Sequence, residues 1–327
     1  MNHLIKIFFK TLRKLYFIFI LKNKNKIDNS QVEYFDQKAN DLLCQKIDEA
    51  YSDSKGLMVC KFGTVELNCV LANINKDTKN SFKDYINFIR RYNSHLHMDD
   101  VIKAMGNNAG LFPANMELAS KFTNRIINDI PAIDILGSYN QAEKYLGFRI
   151  DHCTKINIDS YCAPFLYDDP WTKCLKNKKV LILHPFVESI KSQYKNRELL
   201  FDNPNVLPEF KELILVKAVQ SIGGVKTDFT DWFEALEYMK KEISSVDFDI
   251  AIIGAGAYGL PLTAHVKNIG KIGIHMAGWT QMLFGIYGNR WVKDQPYYSK
   301  FINENWKRPS KNETPEIHNN IESGCYW

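Results

Sequence analysis

The chain has 327 residues, of which 45% are hydrophobic, and a formal net charge of +5 at pH 7. This length suits one large domain or two small ones, and the apolar fraction is typical of a globular protein. Residues 1–26 hold seven basic residues and no acidic one, so the remaining chain has 35 basic and 37 acidic residues. Since the body is not basic, its charge argues against nucleic acid as a partner.

The seven cysteines lie scattered along the chain and include no C-x-x-C pair. This pattern is typical neither of a disulfide framework nor of a zinc module. We expect each cysteine to be a small buried apolar side chain, and this usage fits a protein of the reducing cytoplasm.

Residues 1–21 predict a basic amphipathic helix. Its basic side chains share one helical face: Lys6, Lys10, Arg13 and Lys14. The uninterrupted apolar run at 15–21 is seven residues long, which is too short to span a bilayer. A helix lying on an anionic membrane surface fits this pattern, and it would place the protein peripherally on the inner face of the cell membrane. The alternative is a helix that packs on its own domain or on a second subunit.

Beyond a polar linker at 22–30, helical and strand patterns alternate along the chain. Helical periodicity covers 32–51, 81–92, 98–105, 114–128, 141–147 and 228–244. Short apolar runs typical of buried strands cover 57–62, 132–136, 180–183, 213–218, 249–253 and 271–276. The alternation predicts an α/β fold with a mostly parallel, Rossmann-like sheet and helices on both faces. We place this domain at 27–290, after the arm at 1–26 and before a tail at 291–327 that docks on the body.

The strand predicted at 57–62 ends at Gly63, and a helix begins at once with Thr64 and Glu66. A strand that leads into a helix start lies at the carboxyl edge of a parallel sheet, where open α/β folds bind ligands. Residues 63–66 are therefore candidate site residues. Glu66 also has a purely structural explanation, because negative charge is favourable in the first turn of a helix.

A second strand, at 180–183, ends in His184, which makes this side chain a candidate site residue. A hydrogen-bonded structural histidine is the alternative. The helix that follows carries Lys195 and Arg197 near its polar side. Such a cationic cluster can bind phosphate groups, whereas a solvated helix face explains it without any ligand.

The stretch 248–279 predicts a strand, a glycine turn, a helix and a second strand. Its turn contains Gly254, Gly256 and Gly259, which spell G-x-G-x-x-G. Glycine permits a tight turn and lets a phosphate group approach the backbone N–H groups of a helix N-terminus. A dinucleotide site would require an acid at the end of the second strand, where His275 stands instead. A different phosphate-bearing ligand fits better, and close packing of helix on strand is the alternative.

Three segments, taken in order, resemble the GT-D-fold glycosyltransferases, bacterial enzymes that use nucleotide-sugar donors. KFGTVELNCV at 61–70 resembles the R-x-G-D-G-E segment of that family. IIGAGAYGLPLTAHVKNIGKIGIHMAG at 252–278 resembles its late strand, glycine turn, helix and strand, and LLFDNPNVLPEF at 199–210 adds a weaker match. GAGAYGLPL and the final SGCYW look closer still to GT-D-like proteins of capsule and exopolysaccharide gene clusters.

The resemblance implies roles for individual residues. Gly63 matches the motif glycine, Glu66 its acid and Gly254 a glycine of the late turn. The Asp-x-Glu pair of the family is associated with a divalent metal and the donor diphosphate, but Thr64 stands at the Asp position. Glu66 and Thr64 can still contact a hydrated Mg²⁺ or Mn²⁺, though weakly. Lys61 stands where the family has Arg, and it keeps the positive charge without the bidentate fork.

Together these features predict a glycosyltransferase of bacterial surface polysaccharide biosynthesis. Its donor would be a nucleotide-diphosphate sugar, and its acceptor a glycan or a lipid-linked molecule. The residues that would flank the donor are 63–66, Gly254, Gly256, Tyr258 and Gly259. Glu66 would position a metal or the donor, or act as a base on the acceptor hydroxyl. Cationic groups would stabilise the leaving diphosphate, with three candidates: Lys61, Lys195 and Arg197.

Two other functions stay open at this point. A nicotinamide-dependent oxidoreductase would use the glycine turn for NAD(P), although the missing ribose acid argues against it. A non-catalytic, membrane-tethered scaffold of the polysaccharide machinery would explain why Thr64 replaces the motif Asp.

Overall fold

The computed structural model describes residues 3–22, 29–74, 82–90, 98–318, 321 and 324–327. Within them lie the strands β1 Leu57–Cys60, β2 Ile135–Ser138, β3 Thr154–Asn157, β4 Lys179–His184, β5 Glu212–Lys217, β6 Ile250–Ile253 and β7 Ile272–His275. These seven strands form one parallel sheet in the order β3-β2-β1-β7-β6-β4-β5. The predicted α/β fold with a parallel, Rossmann-like sheet is confirmed.

All six predicted strands are present, but the one predicted at 132–136 begins later, at Ile135. Residues Ile130–Ala132 instead form a 3-10 turn with a proline at its start. The edge strand β3 was not predicted, because its four residues are mostly half-buried and lack a continuous apolar run. In the central strand β6, by contrast, every residue is buried.

The helices lie between the strands as predicted, with some changes at their ends. Their bounds are α1 His3–Leu15, α2 Asp36–Ser52, α3 Thr64–Ile74, α4 Phe82–Ile89, α5 Met98–Ala104, α6 Met116–Asp129, α7 Ile158–Cys162, α8 Val187–Tyr194, α9 Trp232–Ser244, α10 Gly259–Asn268 and α11 Trp279–Leu283. The helix predicted at 141–147 is instead a 3-10 segment, Gln141–Ile150, which is interrupted at Gly147. A π turn at Tyr16–Ile20 continues α1.

Helices cover both faces of the sheet. Leu181 and Ala251 belong to a core with α3, α6, α9 and α10, while Ile182 and Ile252 belong to a second core with α2, α8 and α11. This division follows from the alternation of side chains along a strand. The neighbouring strands β4 and β6 therefore lead into helices on opposite faces, α8 and α10. Such a divergence opens a crevice at the carboxyl ends of the two strands.

The C-terminal residues pack on the face that carries α8. The Trp306 indole N–H donates to Leu200 O at 2.9 Å, and the Trp327 indole N–H donates to Glu313 O at 3.1 Å. Arg308 donates to Trp327 O. Trp327 is buried in this arrangement.

A disulfide joins Cys44 of α2 to Cys174 in the 3-10 turn Trp171–Leu175, with a Cα–Cα distance of 5.9 Å. We expected each cysteine to stand alone as a buried side chain, and for this pair the expectation is wrong. The two residues are 130 positions apart in sequence, so their spacing does not reveal the contact. The other five cysteines are buried, as expected: Cys60, Cys69, Cys153, Cys162 and Cys325.

The predicted N-terminal helix is present as α1, and it packs against α4. The Phe9 ring stacks on Tyr85 with centroids 4.5 Å apart, and Arg13 donates to Phe88 O at 2.7 Å. Among the described residues, no helix is both long and apolar enough to cross a bilayer.

Candidate functional site

A cavity of about 610 Å³ lies at the carboxyl edge of the sheet. Every strand contributes to its wall from its carboxyl end: Lys61 after β1, Tyr139 after β2, Asp159 after β3, His184 in β4, Ala218 after β5, Gly254 after β6 and Ala277 after β7. A parallel sheet gathers these strand ends at one edge, which is where open α/β folds bind ligands. The cavity is therefore the candidate functional site.

Most of the predicted site residues meet in this cavity. Those that line it are Lys61, Gly63, Thr64, Glu66, His184, Gly254, Gly256 and Tyr258. The charged residues of the lining are Arg13, Lys61, Arg90 and Arg290 on the basic side and Glu66 and Asp159 on the acidic side. The excess of basic groups favours an anionic ligand.

Three predicted residues do not line the cavity: Gly259, which packs under the turn, and Lys195 and Arg197, which lie farther away. Lys195 and Arg197 follow the C-terminal end of α8, and neither lines the cavity. Arg197 pairs with Glu198 at 3.2 Å and with Glu209, which precedes β5, at 3.8 Å. Because α8 begins at the carboxyl edge and runs back across the sheet, its last residues reach the amino edge. The structure thus does not bring Lys195 and Arg197 together with the other predicted site residues.

The glycine turn after β6 combines close packing with open space. A Cβ on Gly254 would overlap the His184 ring and lie 2.7 Å from Ala277 O, so only glycine fits. Gly256 has a φ of +51°, and the nearest atom to a Cβ there would be Ala109 O at 3.7 Å. Gly259 has a packing role, since a Cβ would overlap the His275 ring. The turn thus has two positions that require glycine for close packing and one, Gly256, that leaves open space.

The helices α8 and α10, which follow the neighbouring strands β4 and β6, differ at their N-termini. At the start of α8, the Glu313 carboxylate accepts from Glu188 N at 2.7 Å and from Ser189 N at 3.2 Å. At the start of α10, no side chain makes a capping hydrogen bond. Since a helix N-terminus attracts negative charge, α8 already has its anion and α10 does not.

Two buried histidines contribute neutral rings to the cavity. His184 Nδ1 accepts from Phe186 N at 3.0 Å, which leaves the proton on Nε2. His275 Nδ1 lies 3.3 Å from Ile253 O, and because a carbonyl only accepts, Nδ1 carries the proton. Burial lowers the pKa of both rings to about 3, and the charge of Lys61 adds to this effect at His275. His184 thus offers a donor at Nε2, and His275 an acceptor.

The turn from β1 into α3 orients Glu66. A Cβ on Gly63 would overlap the Glu66 carboxylate, so the missing side chain allows the carboxylate to lie over the turn. Thr64 Oγ1 lies 3.3 Å from Tyr139 Oη and accepts from Asn140 Nδ2 at 3.3 Å. The hydroxyl of Thr64 therefore links the β1 and β2 ends of the cavity.

Lys61 contributes a permanent positive charge. Its Nζ lies 5.8 Å from the centroid of the Tyr139 ring. Burial opposes this charge, but the neighbouring acidic groups, Tyr139, Cys162 and Glu66 among them, hold the pKa of Lys61 above its ordinary value. The ammonium group is therefore charged at neutral pH.

The cavity contains a second carboxylate, Asp159, that the sequence did not predict as a site residue. Asp159 follows the unpredicted strand β3 and accepts from Tyr298 Oη at 2.7 Å. Burial raises the pKa of Asp159 above its ordinary value. An acid directly after a strand is the same signal that marked residues 63–66, but it was hidden because β3 itself was not recognised.

Arg290 lines the cavity, whereas Arg308 anchors the C-terminal residues. The Arg290 guanidinium lies 4.6 Å from the centroid of the Tyr326 ring. Arg308 donates to Trp327 O and, at 3.1 Å, to Asn289 Oδ1.

The metal predicted at Glu66 depends on what else could hold it. Among the described residues, no three His, Cys, Asp or Glu side chains converge on one point. Near Glu66 the chain offers the Thr64 hydroxyl and the positively charged Lys61, which does not make a metal site by itself. Binding of Mg²⁺ or Mn²⁺ therefore stays a prediction that requires donor phosphate oxygens as further ligands.

Searches against protein-family models, curated proteins and solved structures find no match to this chain.

Proposed function

We propose that this chain is a glycosyltransferase whose donor is a nucleotide-diphosphate sugar. The observation that carries the proposal is the open glycine position Gly256, which lines the cavity and begins the 3-10 turn Gly256–Tyr258. This turn leads into α10, whose start has no side-chain cap. A diphosphate beside this turn would meet backbone N–H groups and the positive end of the helix dipole. The basic excess of the cavity lining supports the same choice of ligand.

The cationic and neutral groups around the turn have distinct roles in this proposal. As the diphosphate leaves the sugar, negative charge grows on it, and the Lys61 ammonium stabilises that charge. His184 donates one hydrogen bond from Nε2 without adding charge. Because burial lowers its pKa to about 3, this donor is the same at every physiological pH.

The transfer step forms one bond and breaks one. The acceptor hydroxyl oxygen bonds to the anomeric carbon, the bond from that carbon to the diphosphate oxygen breaks, and the acceptor proton passes to a carboxylate. We assign this base to Glu66, which lies at the β1 end of the cavity. Asp159 is a second candidate, because a raised pKa suits a carboxylate that must take up a proton.

The biological setting follows from the resemblance described above. We place the reaction in bacterial surface polysaccharide biosynthesis, with a glycan or lipid-linked acceptor. The protein would lie peripherally on the inner face of the cell membrane, held by the basic amphipathic arm. Loss of the motif Asp at Thr64 makes the metal dependence of this reaction a separate question.

Calorimetric titration of the full chain tests the proposal. The ligands are UDP, GDP, CMP, UDP-sugars, NAD and NADP, each with and without Mn²⁺. We expect a nucleoside diphosphate or its sugar to bind, and at 100 times Kd to raise the free energy of unfolding by ~2.7 kcal/mol. Binding of NAD(P) alone would point to an oxidoreductase, and absence of all binding would favour the scaffold.

Two lysine variants locate the ligand. Lys61→Met removes a charge from the cavity and should weaken nucleotide binding by about 10–100-fold, the value of one charge-assisted hydrogen bond. Lys195→Met removes the same charge outside the cavity and should leave the affinity unchanged. If the Lys61 and Lys195 variants bind the nucleotide with equal affinity, the diphosphate does not lie beside Lys61.

A further inference from the structure

We propose that α1 is at once the membrane contact and one wall of the cavity, so that the acceptor is a lipid whose phosphate-bearing head group enters directly from an anionic membrane. This inference extends the proposed function by choosing the lipid over the soluble glycan. It also adds a mode of regulation, because membrane binding then completes the substrate site.

The inner side of α1 packs on the protein and reaches the cavity. Phe9 stacks on Tyr85, Leu12 is half-buried, and Arg13 donates to Phe88 O. Arg13 and Tyr16 also line the cavity, and Arg90 joins them from the end of α4. With 3.6 residues per turn, positions 9, 12, 13 and 16 share one side of a helix. The arm is therefore a structural part of the site and not only a tether.

The outer side of α1 is apolar and uncovered. Leu4 and Phe8 of α1 are 70% and 57% exposed, and Phe19 of the π turn that continues α1 is 69% exposed. Phe82 of α4 adds a ring that is 80% exposed. Clustered apolar side chains of this size mark an interaction surface. In water they would be costly, since each buried side chain of this kind contributes ~1.5–3 kcal/mol.

Lysines on α1 identify the occupant of this surface. Lys10 and Lys14 are exposed and lie between the inner and the outer side of the helix. An apolar strip flanked by lysines matches a bilayer, because the strip enters the acyl boundary while the ammonium groups meet anionic head groups. The arm also holds seven basic residues and no acid at positions 1–26.

The thickness of one helix sets the distance from membrane to cavity. An α-helix with its side chains is about 10–12 Å across, and α1 has lipid-facing residues on one side and cavity-lining residues on the other. A head group can therefore approach Arg13 and Arg90 while its chains stay in the bilayer. Arginine is suited to this task, since its planar fork binds phosphate oxygens in a bidentate manner.

Vesicle co-sedimentation of the full chain tests the surface. We expect binding to phosphatidylcholine vesicles that contain phosphatidylglycerol and much weaker binding to phosphatidylcholine alone. The double variant Phe8→Ser/Phe19→Ser should bind about 100-fold more weakly. Phe148→Ser is the matched control, because Phe148 is 78% exposed on the Gln141–Ile150 segment, and it should bind as the parent chain does.

A second measurement tests the cavity wall. Vesicles with phosphatidic acid, which carries a phosphate monoester, are compared with phosphatidylglycerol vesicles of equal charge. We expect a preference for phosphatidic acid that Arg90→Ala reduces at least about 5-fold, while Lys14→Ala weakens binding to both lipids equally. A head-group preference unchanged in Arg90→Ala would overturn the proposal that the lipid phosphate reaches the cavity.

The outcomes separate this inference from the proposed function. Titration with a soluble nucleotide is run on the same Phe8→Ser/Phe19→Ser protein, and its affinity should match that of the parent. If the parent chain does not bind vesicles but still binds the nucleotide, the inference fails and the glycosyltransferase proposal stands. If the double variant instead converts a dimer into a monomer and no vesicle binding occurs, a second copy covers this surface and the inference fails.

Discussion

His184 and His275 face one cavity as neutral rings with opposite hydrogen-bonding capacity. The difference arises from a single contact at each ring, since Nδ1 accepts from Phe186 N in one and donates to Ile253 O in the other. Both rings are buried, so protonation would place a charge where water cannot solvate it. A ligand therefore meets one fixed donor and one fixed acceptor.

The burial of these rings predicts a pH dependence of stability. In the unfolded chain a histidine binds a proton below about pH 6.5, whereas in the folded protein the pKa is about 3. The unfolded state then holds more protons, so stability is fully present above about pH 6.5 and is lost as the pH falls. The loss is up to about 1.4 kcal/mol per pH unit for each ring. Urea unfolding of the parent and of His184→Gln gives the free energy of unfolding at each pH. Plotted against pH between about 4 and 6, this free energy should have a slope that is shallower in the variant by about this amount. An unchanged slope would mean that the ring is already charged in the folded protein.

We expect substitution of Gly63 by alanine to lower activity while the protein still folds. In Gly63→Ala the new Cβ would overlap only the end of the flexible Glu66 side chain, which can swing away. We expect a near-parental melting temperature and a transfer rate about 100-fold lower, comparable to that of Glu66→Gln. The double variant Gly63→Ala/Glu66→Gln should lose no more transfer rate than either single variant, because both substitutions remove the same contribution, that of the Glu66 carboxylate. Additive losses in the double variant would show that Gly63 acts independently of the carboxylate.

At the scale of elements, two glycines on either side of α10 allow the effect of ligand binding to be distinguished from that of backbone strain. Gly256 precedes α10 and Gly270 follows it, and their φ angles are +51° and +78°. At both positions there is room for a Cβ. An alanine at either site should therefore cost a similar ~1–2 kcal/mol from the left-handed backbone alone. Gly256 lines the cavity, whereas Gly270 does not.

This pair gives a matched test of the phosphate turn. We expect Gly256→Ala and Gly270→Ala to lower the free energy of unfolding alike in urea melts. Nucleotide affinity, measured by calorimetry, should fall at least about 10-fold only in Gly256→Ala, because the new methyl group narrows the approach to the turn. If Gly256→Ala and Gly270→Ala bind the nucleotide with equal affinity, the diphosphate does not lie at the start of α10.

The end of α10 shows which elements a sequence predicts well. Gly270 N donates to Lys267 O at 2.9 Å and Lys271 N to Val266 O at 3.1 Å, the closed end that a glycine after a helix predicts. The strand β6 was equally clear, because burial on both faces makes it apolar throughout. At the two edges of the sheet this pressure is weaker. The edge strand β5 still has an apolar run and was predicted, whereas the edge strand β3 has none and was missed. The signal is thus the apolar run itself, which an edge strand can lack.

The candidate site was predictable only where a strand and a helix start adjoin in sequence. Glu66, His184 and Gly254 were found in this way, and the structure brings them to one edge. Asp159 was missed with its strand. Lys195 lies away from the cavity for a different reason, since a helix carries residues along its axis at ~1.5 Å each and so moves them off the edge where it begins.

At the scale of the whole molecule, Glu313 connects the C-terminal residues to the body. Its buried carboxylate accepts backbone N–H groups at the start of α8, and Ser310 Oγ donates to it at 2.9 Å. Removing the acceptor leaves buried N–H groups without a partner, which costs ~1–3 kcal/mol.

This connection predicts a graded loss of stability. Glu313→Ala should lower the free energy of unfolding by ~1–3 kcal/mol, while Glu313→Gln, which keeps an acceptor oxygen, should lose less. Urea melts followed by tryptophan fluorescence measure both, since Trp327 donates to Glu313 O and reports on this region. Equal losses in the two variants would show that the charge on Glu313, and not its hydrogen bonding, holds the C-terminal residues.

The order of the strands has a consequence for the kinetics of the proposed enzyme. Seven strand ends line one cavity, and six spacings of about 4.8 Å make its edge roughly 29 Å long. The glycine turn lies over β6, whereas Glu66 and Asp159 belong to the half formed by β1, β2 and β3. Donor and acceptor can thus lie side by side, and neither has to leave before the other binds. Transfer would then pass through a ternary complex, and double-reciprocal plots at several fixed acceptor concentrations would intersect instead of running parallel.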